Sequence, residues 1–153
     1  MQRIRWALAA SACFVGAAPA LAGPPATVQF LNSGKVLPTN LPFSEAVRVD
    51  DLLYLSGQIG LVPGTMKLVP GGLQAEARQT LENIKASLEA HGYSMRDVIN
   101  CTVMLADISE WAAFNEVYRI YFSAPYPARS ALGANGLALG ARVEVECVAV
   151  AHR

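Results

Sequence analysis

Two short segments near the C-terminus carry the side chains best suited to chemistry. Residues 127–130 are Pro-Ala-Arg-Ser, and residues 143–146 alternate valine with glutamate. An arginine guanidinium binds a carboxylate through two parallel hydrogen bonds, and a glutamate takes up or delivers a proton. Arg129 and Glu144 are therefore candidates for binding and for acid–base chemistry. Judged from the residues alone, the favoured interpretation is that Arg129 is a surface or ion-paired arginine and that Glu144 and Glu146 lie on a solvent-facing side of a strand.

Other familiar catalytic devices do not match this sequence. Beyond residue 22 there are two histidines, His91 and His152, and neither has a ligand at metal-binding spacing. The glycines of 57–60 and 133–140 lack the spacing of phosphate or dinucleotide loops, and no serine lies in a nucleophile elbow. His91 follows the end of a predicted helix, where we expect it to be solvated. We therefore expect no metal, no nucleotide cofactor and no serine nucleophile.

The elements that must position Arg129 and Glu144 are short strands and two amphipathic helices. Strands are predicted at 27–31, at 98–105, at 130–132 and at 142–151, with a hairpin inside 46–55. Apolar residues at steps of three and four predict a helix over 73–90 and a second one from about 107–109 to Pro125. Two helices and a mostly sequential sheet indicate a two-layer α+β domain.

The last predicted strand has two chemically different faces. Val143, Val145, Cys147 and Ala149 point one way, toward the predicted helices, and the two glutamates point the other way. Cys101 and Cys147 both lie in apolar strand patterns, where a free cysteine behaves as a small hydrophobic residue. The sequence therefore favours two buried thiols, and a disulfide stays open because it requires a geometry that the sequence does not show.

The first 22 residues have the pattern of a secretory signal peptide. Arg3 and Arg5 precede an apolar run, and a small-x-small triplet ends at Ala22. The run is too short to span a membrane. We expect residues 1–22 to be removed, leaving one domain over 23–153 in the periplasm or outside the cell, with no membrane attachment.

The charge of the remaining chain argues against a nucleic-acid partner. With Arg3 and Arg5 removed, ten basic residues face 12 acidic ones, so the net charge is about −2. A nucleic-acid binder usually carries a basic face. No such face is evident in the sequence.

A series of motifs between residues 41 and 151 resembles one protein family. They are Leu-Pro-Phe-Ser-Glu-Ala-Val at 41–47, Leu-Ser-Gly-Gln-Ile at 55–59, the helical segment 74–84, Phe-Asn-Glu-Val-Tyr at 114–118, Pro-Ala-Arg-Ser at 127–130 and Val-Glu-Val-Glu at 143–146. In this order they resemble the RidA (YjgF) family of enamine/imine deaminases.

The resemblance implies a chorismate-mutase-like fold, a mixed sheet with both helices packed on one face, and a homotrimer with sites at the subunit interfaces. It also implies hydrolysis of 2-imino acids such as 2-iminopropanoate, or their enamine tautomers, to 2-oxo acids and ammonia, without a cofactor. Arg129 matches the arginine that binds the substrate carboxylate, and Glu144 matches the glutamate that activates water. Glu146 is assigned to structure.

Five further positions match residues that line the family's pocket: Phe43, Ser56, Gly57, Asn115 and Ala131. Phe43 replaces a tyrosine common in the family, which removes a hydroxyl and puts substrate preference in question. Ala131 replaces a common cysteine, where a backbone contact is expected. Two alternatives stay open: a non-catalytic module of the same fold that binds small carboxylates or acts as a chaperone, and an endoribonuclease, which the net charge disfavours.

Overall fold

The computed structural model describes residues 25–151; the predicted signal peptide and His152 lie outside them. The strands are β1 (Val28–Leu31), β2 (Ala46–Val49), β3 (Leu52–Leu55), β4 (Gln58–Ile59), β5 (Val98–Leu105), β6 (Ala128–Gly133) and β7 (Val143–Val150), and the helices are α1 (Gly72–Ala90) and α2 (Trp111–Tyr121). Every predicted strand and helix forms, and β6 is longer than the predicted 130–132.

The sheet is mixed and has the order β1-β2-β3-β7-β5-β6, with β4 also paired to β7. Only the β5–β6 ladder is parallel; the others are antiparallel. The sheet is mostly sequential, as expected, and the exception is β7, which inserts between β3 and β5. Its alternate residues Val143, Val145 and Ala149 are fully buried, which suits a central strand. Glu144 is therefore placed on the central strand of the sheet.

Both helices cover the same face of the sheet, which confirms the predicted two-layer α+β architecture. In α1 the apolar residues at three- and four-residue steps are all buried, among them Leu81, Ile84 and Leu88. They pack with Phe114 of α2 and with the inward residues of β5 and β7 in one core cluster. The helix layer thus fixes which side of each strand is buried.

The other face of the sheet, here called the open face, is partly exposed and partly apolar. Phe30, Val47, Tyr54 and Val148 are cross-strand partners on neighbouring strands and share this open face. Phe30 is 73% exposed and Tyr54 is 46% exposed.

Neither helix of the described part of the chain, residues 25–151, has the length and apolar character of a membrane span.

Cys101 and Cys147 form a disulfide, which corrects the expectation of two free thiols. The two residues lie directly opposite each other on β5 and β7, with their Cα atoms 4.1 Å apart. Both are almost completely buried beneath the helices. The sulfurs are brought together by the pairing register of two strands that are distant in sequence. That register cannot be predicted from the residue pattern of either strand alone.

Candidate functional site

The side chain of Arg129 is held against α2. Arg129 lies on the edge strand β6 opposite Cys101, so it points to the helix side of the sheet. Its Nη2 donates a hydrogen bond to Oδ1 of Asn115 at 2.8 Å, and its guanidinium lies 4.5 Å from the centre of the Tyr118 ring. Asn115 and Tyr118 are three residues apart on α2 and therefore face the same side. The predicted residues Arg129 and Asn115 are thus brought together.

The surroundings of Arg129 form an open cleft of about 380 Å³, here called the Arg129 pocket. Its walls are mainly aromatic, from the exposed Trp111 and Tyr126 and the buried Tyr118. Burial raises the pKa of Tyr118 to about 12, although the charge of Arg129 opposes the shift. Tyr118 therefore stays neutral at physiological pH, and its ring stabilises the guanidinium by a cation–π contact.

Glu144 lies in a second cavity of about 290 Å³, here called the Glu144 pocket. Phe43 and Gly57 line it with Glu144, and the remaining walls are almost entirely aliphatic. A Cβ atom at Gly57 would collide with the carboxylate of Glu144, so only glycine allows this approach. The predicted residues Phe43, Gly57 and Glu144 therefore share one cavity.

The environment of Glu144 suits a general base. Burial raises the pKa of Glu144, and the nearby carboxylate of Glu146 raises it further. A carboxylate with a raised pKa accepts a proton from water more readily than an ordinary one does. Glu146 is exposed on the same strand face, so its effect on Glu144 is electrostatic.

The two remaining predicted site residues are Ser56, which is held by hydrogen bonds to the segment that carries Phe43, and Ala131, which lies on the same strand as Arg129. The hydroxyl of Ser56 donates a hydrogen bond to the carbonyl of Ser44 at 2.7 Å, and its backbone N–H donates to the carbonyl of Glu45 at 3.0 Å. Ser56 therefore fixes the segment that carries Phe43. Ala131 is half-buried on β6, two residues after Arg129, and so lies on the same side of that strand.

Glu45 also supports this segment and was not identified from the sequence. It is only 2% exposed. One carboxylate oxygen accepts hydrogen bonds from the N–H and hydroxyl of Ser33, and the other accepts from the hydroxyl of Ser87 on α1. These partners come from distant parts of the chain, so no local motif signals the role.

The network around Glu45 includes His91, whose expected solvation is wrong. The His91 side chain is 8% exposed, and its Nε2 lies 3.8 Å from the Glu45 carboxylate. Arg48 donates a hydrogen bond to the His91 carbonyl at 2.7 Å. Burial acts to raise the pKa of Glu45, but hydrogen bonds from Ser87 and Ser33 and the proximity of His91 outweigh it and lower the pKa. Glu45 is thus an anionic anchor for the loop that carries Phe43.

The sheet separates the two pockets within one chain. Arg129 is paired with Cys101, whose side chain faces the helices, whereas Glu144 is paired with Met104 on the open face. The predicted site residues therefore form two partial sites, one with Arg129 and Asn115 and one with Phe43, Gly57 and Glu144. Within residues 25–151 no group of three or more His, Cys, Asp and Glu residues could hold a metal ion.

The site thus has an arginine on the edge strand β6 and a partly buried glutamate on the central strand β7 of a mixed sheet. A family model described as Endoribonuclease L-PSP matches residues 34–151. The chain belongs to this family, which is the RidA family that the sequence motifs indicated.

Relatives of known name support the same assignment. The goat and human proteins named 2-iminobutanoate/2-iminopropanoate deaminase are 47% and 44% identical over 109 residues, covering 71% of this chain and 80% of each relative. The crystal structure of RidA from an Antarctic Psychrobacter is 41% identical with a TM-score of 0.76, covering 80% of this chain and 99% of that one. Escherichia coli TdcF with bound serine is 32% identical with a TM-score of 0.75, covering 81% and 99%. These structures confirm the predicted chorismate-mutase-like fold.

Proposed function

We propose that this protein hydrolyses reactive 2-imino acids and their enamine tautomers to 2-oxo acids and ammonia. The observation that carries the proposal is the Glu144 carboxylate, partly desolvated against Gly57 in a pocket with otherwise apolar walls. Such a carboxylate is suited to accept a proton from an attacking water. The names of the goat and human relatives support the same reaction.

In this reaction Arg129 binds and Glu144 transfers protons. The guanidinium of Arg129, with one donor used by Asn115, binds the substrate carboxylate through its remaining N–H groups. Glu144 takes a proton from water while the water oxygen bonds to the imine carbon, and it delivers that proton to the imine nitrogen, which gives a neutral carbinolamine. Glu144 then takes the proton of the carbinolamine hydroxyl and delivers it to the amino nitrogen, so that the carbon–nitrogen bond breaks as the carbon–oxygen double bond forms, and ammonia and the 2-oxo acid leave. Residues of this chain supply every step, and no cofactor is needed.

The complete site is proposed to form between subunits of a homotrimer. Within one chain Arg129 and Glu144 face opposite sides of the sheet, so a single chain does not offer both to one small substrate. The open face, with Phe30 and Tyr54 exposed, supplies apolar surface for a neighbouring subunit. Each site would then combine Arg129, Asn115 and Ala131 of one protomer with Phe43, Ser56, Gly57 and Glu144 of the next.

The proposed location is the periplasm or the exterior of the cell. It rests on the signal-like pattern of residues 1–22, and the Cys101–Cys147 disulfide agrees with an oxidising compartment. The proposed substrate source there is an oxidation of amines or amino acids that releases imines.

A competition assay tests the proposed reaction. An amino-acid oxidase generates the imine, semicarbazide traps it, and the purified protein competes by hydrolysis. Wild type is expected to suppress trapping, and Arg129→Ala is expected to lose this effect. Arg78→Ala is the matched control, because Arg78 is exposed on α1 and lines neither the Arg129 pocket nor the Glu144 pocket.

Two other outcomes separate the alternatives. Saturable binding of small carboxylates without turnover of any imine would show that the protein is a binding module and not a deaminase. Salt-dependent binding and cleavage of RNA would favour the endoribonuclease activity in the family's description.

A further inference from the structure

Leu139 has an unusual backbone conformation beside Glu144. It lies in the short turn Ala138–Gly140, just before β7, with φ 58° and ψ 14°. This left-handed region is unfavourable for leucine, which has no polar side chain to compensate. Strained residues of this kind concentrate where a side chain must be held in a particular place. The turn therefore holds a leucine where glycine or asparagine would be expected.

The side chain of Leu139 is exposed but belongs to a defined cavity. Leu139 is 57% exposed and lines the Glu144 pocket with Phe43, 49% exposed, and Met66, 48% exposed. These three apolar side chains come from three separate segments and meet at one cavity. Deeper in the same cavity, Ile59 and Leu61 are buried. The cavity thus offers an apolar surface next to a single carboxylate.

We propose that Leu139, Phe43 and Met66 bind the side chain of the substrate and select 2-imino acids with bulky apolar side chains, such as those derived from leucine, methionine or phenylalanine. The inference rests on the proposed function, because it uses Glu144 to locate the reacting carbon. That carbon bears the side chain directly, so a substrate at Glu144 places its side chain in the same pocket. A methyl group would leave most of the 290 Å³ cavity unfilled.

The size of the preference follows from the hydrophobic effect. Each methylene group transferred from water to an apolar pocket improves binding by about fourfold. A leucine-derived imine adds several such groups to an alanine-derived one. We therefore expect kcat/KM to favour the leucine-derived imine over the alanine-derived one by roughly tenfold or more.

The experiment compares both imines with wild type, Leu139→Gly and the control Ile120→Ala. Glycine suits the left-handed backbone, so Leu139→Gly removes the side chain without adding strain. Ile120 is 60% exposed on α2 and lines neither the Arg129 pocket nor the Glu144 pocket. Leu139→Gly should reduce the ratio of kcat/KM for the leucine-derived imine to kcat/KM for the alanine-derived imine by roughly fivefold or more. Ile120→Ala should leave the ratio unchanged.

Binding of the products distinguishes failure of this inference from failure of the proposed reaction. The affinities of 4-methyl-2-oxopentanoate and pyruvate are measured by calorimetry with the same three proteins. If wild type hydrolyses imines but shows no preference in turnover or binding, the inference is wrong and the proposed function is retained. If no imine is hydrolysed, the proposed function fails, and a Leu139-dependent preference for 4-methyl-2-oxopentanoate still supports the pocket assignment. If Leu139→Gly changes only the oligomeric state, the pocket belongs to a subunit contact and the inference is overturned.

Discussion

Arg129 and Glu144 lie on opposite faces of the same sheet. Arg129 pairs with Cys101, and Cys101 pairs with Cys147, so all three side chains face the helices. Glu144 lies three residues before Cys147 on β7 and therefore faces away from the helices. In the proposed reaction one small substrate must contact both residues, because Arg129 binds its carboxylate and Glu144 activates the water that attacks it. Two chains can satisfy this requirement by apposing the edge strand β6 of one protomer to the open face of another.

This arrangement predicts complementation between two inactive variants. Arg129→Ala and Glu144→Gln should each be inactive as pure trimers. Subunits mixed by co-refolding should regain about a quarter of wild-type activity, because each site in a cyclic oligomer draws its arginine and its glutamate from independent chains. The measurement is the specific activity of the mixture in the semicarbazide competition assay.

A control mixture makes the complementation test specific. Arg129→Ala mixed with the double variant Arg129→Ala/Glu144→Gln should stay inactive, because no chain supplies the arginine. Absence of recovery in the first mixture, although differently tagged subunits co-purify, would contradict a site shared between chains.

Gly57→Ala should reduce activity by on the order of 100-fold while leaving the fold intact. The added methyl group would occupy the position of the Glu144 carboxylate and displace it. A displacement of about 1 Å at a catalytic group costs on the order of 100-fold in rate. The activity assay measures the loss, and circular dichroism checks the fold. Gly64→Ala is a control for a glycine substitution, because a Cβ there meets no atom within 4 Å, although its φ of 72° adds local strain. Full activity in Gly57→Ala would show that the position of Glu144 is not critical.

The pH dependence of activity should report the environment of Glu144. Its pKa is raised above the ordinary value of 4.5, first by burial and then by Glu146. A general base acts when deprotonated, so the acidic limb of the kcat/KM profile should lie above pH 4.5. Glu146→Gln removes a like charge and should move this limb to lower pH.

Glu116→Gln is the control for the pH profile. Glu116 is 69% exposed and paired with Arg119 on α2, on the other side of the sheet. Its replacement should leave the limb in place. A limb that moves equally in both variants would indicate a general effect of net charge.

The sequence predicts those parts of the site that depend on local pattern. Alternation along β7 correctly separates Val143 and Val145, which are buried, from Glu144, and the spacing in α1 correctly identifies its buried face. The pairing of strands does not follow from local pattern. The sequence therefore did not predict that Cys101 faces Cys147, nor that the parallel β5–β6 register turns Arg129 away from Glu144.

Glu45 shows why buried polar networks are harder to predict than sheet faces. Its partners Ser33, Ser87 and His91 come from a loop, the last turn of α1 and the residue after α1. Each of these residues looks ordinary in its own segment. Only the tertiary packing brings their polar atoms to one carboxylate.

Glu45→Gln should destabilise the protein at neutral pH and much less in acid. The pKa of Glu45 is lowered in the fold, since hydrogen bonds from Ser87 and Ser33 and the nearby His91 outweigh burial. A carboxyl whose pKa falls on folding stabilises the fold above its unfolded pKa and loses this contribution as the pH drops through the folded value. We expect a loss of about 1–3 kcal/mol at pH 7 in urea unfolding.

The groups facing Glu45 define the controls for this pH effect. His91 contacts the carboxylate, and Arg48 donates to the His91 carbonyl. Ser87→Ala should reproduce part of the loss by removing one hydrogen bond, and Glu116→Gln should have no effect. If the loss in the free energy of unfolding of Glu45→Gln stays constant from neutral pH to below pH 4.5, the loss is caused by altered packing and not by the missing charge.

The Cys101–Cys147 disulfide should make a large contribution to stability. It closes a loop with a sequence separation of 46 residues, and the chain-entropy model assigns such a cross-link about 4 kcal/mol. It also joins β5 to β7, the strand that carries Glu144. The double variant Cys101→Ala/Cys147→Ala should therefore unfold at a markedly lower urea concentration while keeping its activity below that transition. The thiol content of the unfolded wild type, measured without reductant on the chain from residue 23, should be zero. Two reactive thiols under those conditions would contradict the disulfide.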